Sequence, residues 1–298
     1  MLFFLEATIS GLTAGVMYAL VALGFVLIFK ASGVFNFAQG VMALFAGLTL
    51  VGLIDNFGFP IWLALIGTVA VMIALAWLIE RLVLRNLVNQ EHIILFMATL
   101  GLTYVLEGMG DILWGSDVKV LDIGLPQGAS DWLLDSYNLY VEKLEIVAAL
   151  TAGVLVVVLA IFFQKTRIGR ALRAVADDHQ AALSVGINLH TIWVIVWSVA
   201  GIVALVAGIM WGTKSGVQFS LSLIALKALP VLMLGGFTSI PGAIIGGLII
   251  GVGEKWAEIY VGPFVGGAIE NWFAYMLALL FLFFRPQGLF GEKIIERV

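Results

Sequence analysis

Long uninterrupted apolar runs are the feature of this sequence that most limits its fold. They fall at about 7–29, 35–54, 61–84, 92–114, 145–164 and 191–213, followed by a glycine-rich region near 221–260 and a last run near 266–284. Helical runs of about 20 apolar residues match the thickness of a bilayer, whereas barrel strands are roughly half as long and alternate in polarity. The sequence therefore predicts an all-α polytopic membrane protein with about eight transmembrane or re-entrant helical segments.

Composition excludes a soluble globular domain. Apolar residues make up 62% of the 298 residues, charged residues make up 11%, and the mean hydropathy is +1.12. A soluble domain has to keep a far more charged surface. The absence of cysteine excludes disulfides and thiolate metal sites. No cation precedes the first apolar run, which predicts a retained helix rather than a cleaved signal peptide.

The distribution of charge predicts the orientation. Cations cluster at the ends of apolar runs, and the segment 111–145 carries seven carboxylates against two lysines. Because basic connectors stay in the cytoplasm, we expect 111–145 to form an external loop, with the amino terminus outside and the carboxyl terminus in the cytoplasm. This predicts one transmembrane domain, 1–298, that crosses the membrane several times. The cations used are Arg81, Arg85, Lys165, Arg167, Arg170, Arg173, Arg285, Lys293 and Arg297.

Two polar or glycine-rich interruptions divide the apolar pattern. Between the first two runs lie Asn36 and Gln39, which could face a solute pathway or form an interfacial turn. Near 221–260, Pro230, Pro241 and several glycines favour breaks, so this region could be two full spans or a re-entrant pair of half-helices.

Several glycine pairs are four residues apart, a spacing that places both on one helix face and lets helices approach closely. They predict either tight packing within the chain or contact with a second membrane subunit. The pairs are Gly11/Gly15, Gly242/Gly246, Gly247/Gly251 and Gly262/Gly266.

Catalytic chemistry is not indicated. The three histidines fall in connectors or at span ends, and neither a phosphate-binding loop nor a hydrolase motif occurs, so we expect no catalytic residue, no metal site and no ATP hydrolysis by this chain. Charges at membrane depth are functional candidates because burying them is costly. Lys227 is the strongest, although it could pair with Glu107, while Glu254 is expected near an interface. The predicted pathway residues are Asn36, Gln39, Thr103, Glu107, Lys227, Thr238 and Ser239.

The polar segment 164–190 interrupts the apolar second half of the chain. Four cations, two carboxylates and an alanine-rich stretch precede Gly186, which predicts a short amphipathic helix with a glycine stop. Its residues Gln180-Ala181-Ala182, three further residues and then Gly186-Ile187 resemble the cytoplasmic signature of permease subunits of ABC importers, Glu-Ala-Ala-x-x-x-Gly.

The resemblance extends along nearly the whole chain. The blocks GLTAGVMYALVALGFVLIFKASGVFNFAQG, TLGLTYVLEGMGDILWG, TRIGRALRAVADDHQAALSVGIN, LGGFTSIPGAIIGGLIIG and RPQGLFG resemble, in order and spacing, those of branched-chain amino acid importer permeases. The resemblance implies a translocation subunit for branched-chain or other amino acids, with 1–298 as a single transmembrane permease domain in the cell inner membrane. Permeases for urea, short amides and small carboxylates look similar, and a stand-alone channel or facilitator is the competing class, while a membrane enzyme is disfavoured.

Such a family implies partners. We expect a second, related permease in a heterodimer, two ATPase subunits that bind ATP and Mg²⁺, a soluble substrate-binding protein docking on 111–145, and lipid, but no nucleic acid and no cofactor in this chain. The resemblance makes 164–190 the cytoplasmic coupling loop. Gln180 departs from the signature because it lacks the charge of Glu, which nearby carboxylates could supply. The coupling residues are Asp177, Asp178, Gln180, Ala181, Ala182, Gly186 and Ile187.

Overall fold

The computed structural model describes residues 2–87, 90–177 and 179–291, and every apolar run in it is helical. Extended pairing among these residues is limited to isolated bridges at Lys119–Val217 and Ala129–Glu142. The all-α prediction is thus confirmed. The helices are α1 Leu2–Ser32, α2 Gln39–Asp55, α3 Ile61–Leu82, α4 His92–Trp114, α5 Asp131–Tyr137, α6 Lys143–Lys165, α7 Arg167–Asp177, α8 His179–Ser184, α9 Leu189–Ser215, α10 Ile224–Gly235, α11 Ile240–Trp256, α12 Gly262–Val265 and α13 Glu270–Phe284.

Segment lengths agree with a polytopic membrane protein. Within the described residues, six helical segments are long and apolar enough to cross a bilayer, and three shorter apolar ones accompany them. The six are Phe3–Ser32, Ile61–Leu87, Ile93–Trp114, Lys143–Lys165, Leu189–Ser215 and Ile240–Val265; the three are Gln39–Asp55, Phe219–Gly235 and Trp272–Phe284.

The chain groups into two compact units. Unit 1 comprises Met1–Val26, Gly124–Val154 and Ile224–Val298, and unit 2 comprises Leu27–Ile123 and Leu155–Leu223. The expectation of one permease domain over 1–298 stays a prediction beside this division.

The core of unit 2 is α2. Every residue from Gln39 to Gly52 is buried, and the helix packs against α3, α4 and α9. Helix α2 lacks a polar face because it has apolar neighbours on every side, as a buried helix that is apolar all round requires. Small residues permit the closest approach: a Cβ on Gly208 of α9 would overlap the carbonyl of Ala43, and a Cβ on Gly52 would overlap the Trp114 ring.

Unit 1 is held together by glycines on α1 and α11. A Cβ on Gly15 would overlap the carbonyl of Gly247, and a Cβ on Gly11 would lie 2.7 Å from Val252 Cα. A Cβ on Gly251 would lie 2.5 Å from Gly15 Cα. The two backbones therefore touch directly, as small-residue spacing in membrane helices allows. Packing within the chain accounts for these glycine pairs.

The region 221–260 forms two helical segments. Helix α10 has 12 residues with Pro230 inside it, and a 3₁₀ turn, Phe219–Leu223, precedes it, so the apolar helical segment runs from Phe219 to Gly235. Gly236, with φ +101°, ends it, and the Ser239 hydroxyl accepts a hydrogen bond from Gly242 N at the start of α11. A π-helical turn, Ala257–Val261, and α12 lengthen α11 to the size of a span. The first segment is therefore shorter than the second.

Residues after α13 close the end of α10. Leu289 N donates to Leu234 O at 2.8 Å, and Phe290 N donates to Gly235 O at 3.2 Å. These bonds satisfy carbonyls that a helix terminus otherwise leaves without partners. The RPQGLFG block thus contacts the LGGFTSIPG block, two stretches separated by a whole helical hairpin in sequence.

Gly15→Ala should destabilise the protein, because the added methyl group has no room against the α11 backbone. Overpacking of this kind lowers the free energy of unfolding by about 1–3 kcal/mol. Thermal unfolding in detergent measures it. Gly153→Ala on α6 is the matched control, since a Cβ there meets nothing within 4 Å and alanine favours helix. Equal melting temperatures for the two variants would contradict the proposed packing.

Candidate functional site

The polar segment after α6 is helical on both sides of position 178, as α7 and α8, and leads into α9. On α7, Arg167, Arg170 and Arg173 are exposed while Leu172 and Val175 are buried, so the helix is amphipathic as predicted. Both α7 and α8 pack against α9. The segment therefore forms a charged surface attached directly to one of the central helices of unit 2.

The predicted glycine stop is confirmed at Gly186. Its φ is +83°, a left-handed conformation that glycine adopts without strain. Ile187 N donates to Ala182 O at 3.0 Å, and Gly186 N donates to Leu183 O at 3.0 Å, which together make a Schellman cap. Asn188 then starts α9, its side chain accepting hydrogen bonds from the N–H groups of His190 and Thr191. A rigid turn thus links α8 to α9.

The signature residues on α8 do not share one surface. Ala181 is exposed, whereas Ala182 is 3% exposed and packs onto its own chain. Leu183 and Val185, which fill variable positions of the signature, are exposed apolar residues. Sequence reasoning missed these two, although apolar side chains inside a charged connector were a signal. Asp178 lies outside the described residues, as do the side chains of Asp177 and Gln180.

The polar residues of the first interruption are buried and bonded to their own chain. Asn36 Nδ2 donates to Gln39 Oε1 at 3.3 Å, and Gln39 Nε2 donates to Ala200 O of α9 at 3.3 Å. Thr99 of α4, which sequence reasoning did not select, accepts from Phe37 N and donates to Phe35 O. The network holds the irregular backbone between α1 and α2, so these side chains are bonded within their own chain in this conformation.

An ionic cluster joins α10, α11 and α13 in unit 1. Lys227 Nζ lies 2.9 Å from Glu254 Oε1 and 3.1 Å from Glu270 Oε1, and Lys255 Nζ lies 3.0 Å from Glu270 Oε2. Glu254 is 1% exposed. Tyr18 of α1 donates a hydrogen bond to Glu254 Oε1 at 3.2 Å. The two cations and two carboxylates can compensate one another's charge inside the protein.

These contacts revise the predictions made for the charged residues. Lys227 takes Glu254 and Glu270 as partners, while Glu107 lies in unit 2. Glu254, which was expected near a membrane interface, is enclosed by protein. The partners were missed because they lie 27 and 43 residues away in sequence. They carried a signal nonetheless, since Glu254, Lys255 and Glu270 are charges bordering apolar runs.

The remaining candidates are dispersed. Thr103 and Glu107 are partly buried on α4, and the Thr103 hydroxyl donates to Thr99 O of its own helix. Thr238 and Ser239 are partly buried in the turn before α11. Asn36, Gln39, Thr103 and Glu107 thus belong to unit 2, and Lys227, Thr238 and Ser239 belong to unit 1.

Part of the acidic segment 111–145 forms an ordered surface in unit 1. Ser130 N donates to Val141 O, and Lys143 Nζ donates to Asp131 Oδ2 at 2.8 Å. The Lys143 hydrogen bond, reinforced by its charge, holds the pKa of Asp131 below its usual value. Trp132 and Tyr137 are exposed with ring centroids 5.7 Å apart. Exposed aromatic residues of this type are frequent at protein interfaces.

Comparison with known proteins matches this chain to one family of membrane permeases. A family model described as branched-chain amino acid transport system / permease component matches residues 7–285. The high-affinity branched-chain amino acid transport system permease protein LivH of Salmonella typhimurium is 29% identical, covering 100% of this chain and 98% of its own length. LivH of Escherichia coli K12 is 28% identical with the same coverage, and BraD of Pseudomonas aeruginosa is 28% identical over 99% and 98%.

Lys227→Met should unfold more easily than the wild type, because it leaves Glu254 buried without its main cation. Breaking a buried ion pair from one side costs about 3–5 kcal/mol. In the double variant Lys227→Met/Glu254→Gln no buried charge is left uncompensated, so most of that stability should return. Thermal unfolding in detergent compares the two. Equal losses in both variants would contradict the ion pair.

Proposed function

The chain belongs to the branched-chain amino acid transport permease family, and on this premise we propose that it is the inner-membrane translocation subunit of an ABC importer for branched-chain amino acids. The family match over residues 7–285 carries the proposal. The helical segments supply the membrane-spanning part, and no phosphate-binding motif occurs in the sequence, so energy has to come from another subunit. The family match and the multi-pass architecture both indicate a membrane-spanning subunit.

Partners follow from the same premise. A separate ATPase, with its ATP and Mg²⁺, would supply the energy, and a soluble protein outside the membrane would deliver the solute. A second permease subunit would complete a heterodimer. The exposed surface around Trp132 and Asp131 is the docking site we propose for the binding protein, since it carries ordered backbone, aromatic rings and charge.

The coupling role is assigned to the segment from α7 to the start of α9. The exposed arginines of α7 and the apolar residues Leu183 and Val185 of α8 suit a protein partner. The rigid turn at Gly186 and the Asn188 cap would pass movement of α8 to α9. Helix α9 packs against α2 and α3, so displacement of α9 would reach the core of unit 2.

Asn36, Gln39, Thr103, Glu107, Lys227, Thr238 and Ser239 remain the pathway residues we propose. Asn36, Gln39 and Lys227 are engaged with their own chain, so their use by a solute requires those bonds to open. Conformational change driven by an ATPase supplies such opening. Solute identity is then set mainly by the binding protein, and calorimetry of that protein with leucine, urea and acetamide would separate the substrate classes.

Gly186→Val should uncouple transport from ATP hydrolysis, whereas Gly186→Asn should not. A Cβ at Gly186 meets nothing within 4 Å, so the substitution tests backbone conformation rather than space. The left-handed conformation costs an ordinary residue about 1–2 kcal/mol, and asparagine tolerates it better than valine. Leucine uptake per ATP hydrolysed, measured with the importer in proteoliposomes, reads the outcome. Undiminished uptake with valine would exclude a transmission role for this turn.

The sequence lacks cysteine, so one introduced thiol reports its own side of the membrane. In cells that express the chain without an ATPase, Asp135→Cys on α5 should react with an impermeant maleimide added outside intact cells, while Leu183→Cys on α8 should react only after permeabilisation. Both positions are exposed, which makes the pair a matched comparison. Labelling of Leu183→Cys in intact cells would reverse the proposed orientation.

The simplest test of the importer itself is co-purification. Expressed with its neighbouring genes, the chain should retain an ATPase subunit in detergent. A chain that never retains one and still conducts solute would be a stand-alone channel or facilitator.

A further inference from the structure

Glu80 is a buried carboxylate outside every predicted site. It lies near the end of α3 with 2% of its side chain exposed. Its Oε1 is 2.7 Å from His190 Nδ1 and 3.4 Å from Arg85 Nε. Among the described residues, His190 Nδ1 has no hydrogen-bond partner besides this close contact. Burying a carboxylate is costly without a cation beside it, and two basic groups face this one.

The position of His190 connects Glu80 to the end of α8. His190 is the second residue of α9, and its backbone N–H is bonded by the Asn188 side chain that caps the helix. Asn188 in turn follows directly on the Schellman cap at Gly186 and Ile187. Only a rigid turn of a few residues therefore separates α8 from the imidazole that contacts Glu80.

The contact also lies where α3 and α9 meet. These two helices pack against each other extensively, and α2 packs against both. A lock between the end of α3 and the start of α9 makes the two move together when α9 is displaced. Without it, the start of α9 could shift along α3, and α3 would not follow the displacement of α9.

We infer that Glu80, through His190, is a positioning residue that transmits displacement of α8 to α3. The inference rests on the proposed function, because it assigns a route within unit 2 for the movement that an ATPase imposes on α8. It adds a side-chain contact between α3 and α9 to the covalent connection between α8 and α9. Arg85, in the turn after α3, is the cation beside this carboxylate, and its Nε donates a hydrogen bond to Glu80 Oε1 at 3.4 Å.

Glu80→Gln tests this route. The amide keeps the size of the side chain and removes its charge, so it leaves no uncompensated buried charge and the complex should assemble. With the full importer in proteoliposomes, ATP hydrolysis should persist while radiolabelled leucine uptake per ATP falls about fivefold or more, the low end of measured coupling between sites. A purely structural role would reduce the amount of assembled complex, so uptake and ATP hydrolysis would fall together and leucine uptake per ATP would stay unchanged.

Two further variants complete the test. Glu91→Gln neutralises an exposed carboxylate before α4 and should keep the wild-type ratio. The reversed pair Glu80→His/His190→Glu restores a carboxylate–imidazole contact with the two groups exchanged, and it should recover most of the uptake per ATP. If Glu80→Gln does not assemble, the reversed pair decides alone, since an assembled complex that stays uncoupled overturns the inference.

The outcomes separate this inference from the proposed function. A wild-type ratio in Glu80→Gln overturns the route through Glu80 and leaves the importer intact. A wild-type complex that shows no ATP-dependent leucine uptake overturns the proposed function, and the inference with it.

Discussion

The structure depends on one constraint: inside a bilayer no water is available, so every backbone polar group and every charge needs a partner from the protein itself. Regular helices meet it without help. Where helices are interrupted, backbone groups bond to partners elsewhere in the chain. Phe37 N donates to the Thr99 hydroxyl, and Leu234 O and Gly235 O accept from backbone N–H groups after α13. Charge follows the same rule, since Glu254 is enclosed with Lys227 and Tyr18. Irregular backbone and charge are therefore found where other helices already cover them.

Close helix approach is what makes such covering possible. Gly15 and Gly247 let the backbones of α1 and α11 touch, and Gly208 does the same for α9 against α2. Lipid provides no hydrophobic force between helices, so packing contacts of this kind carry the association. Glycine is costly inside a helix in water, but here its missing side chain brings the partners of buried polar groups within bonding distance. The close-contact glycines of α1, α9 and α11 reflect that requirement.

The sequence alone was sufficient for features that depend on local pattern. Apolar run length located the long helices, and the left-handed glycine at 186 was predictable because few other residues end a helix in that way. Partners were not predictable, because Lys227 and Glu270, or Thr99 and Phe37, meet only after the helices have packed. The glycine spacing was informative only in part, because it predicted that helices approach closely but not which helices do so. Contacts at long sequence separation are set by tertiary packing, which no single stretch of residues encodes.

The same satisfied contacts bear on mechanism. A carrier that draws energy from its solute or a coupling ion needs polar groups free to bind them near the middle of the membrane. Here Asn36, Gln39 and Lys227 are already bonded within the chain, so admitting a solute means exchanging or breaking existing bonds. A ligand can shift a conformational equilibrium only by its difference in affinity for the two states, which is small for a weakly bound solute. In the function proposed above, work done on α8 by an ATPase would remove that limit, because displacement of helices rather than solute affinity would then open the bonds.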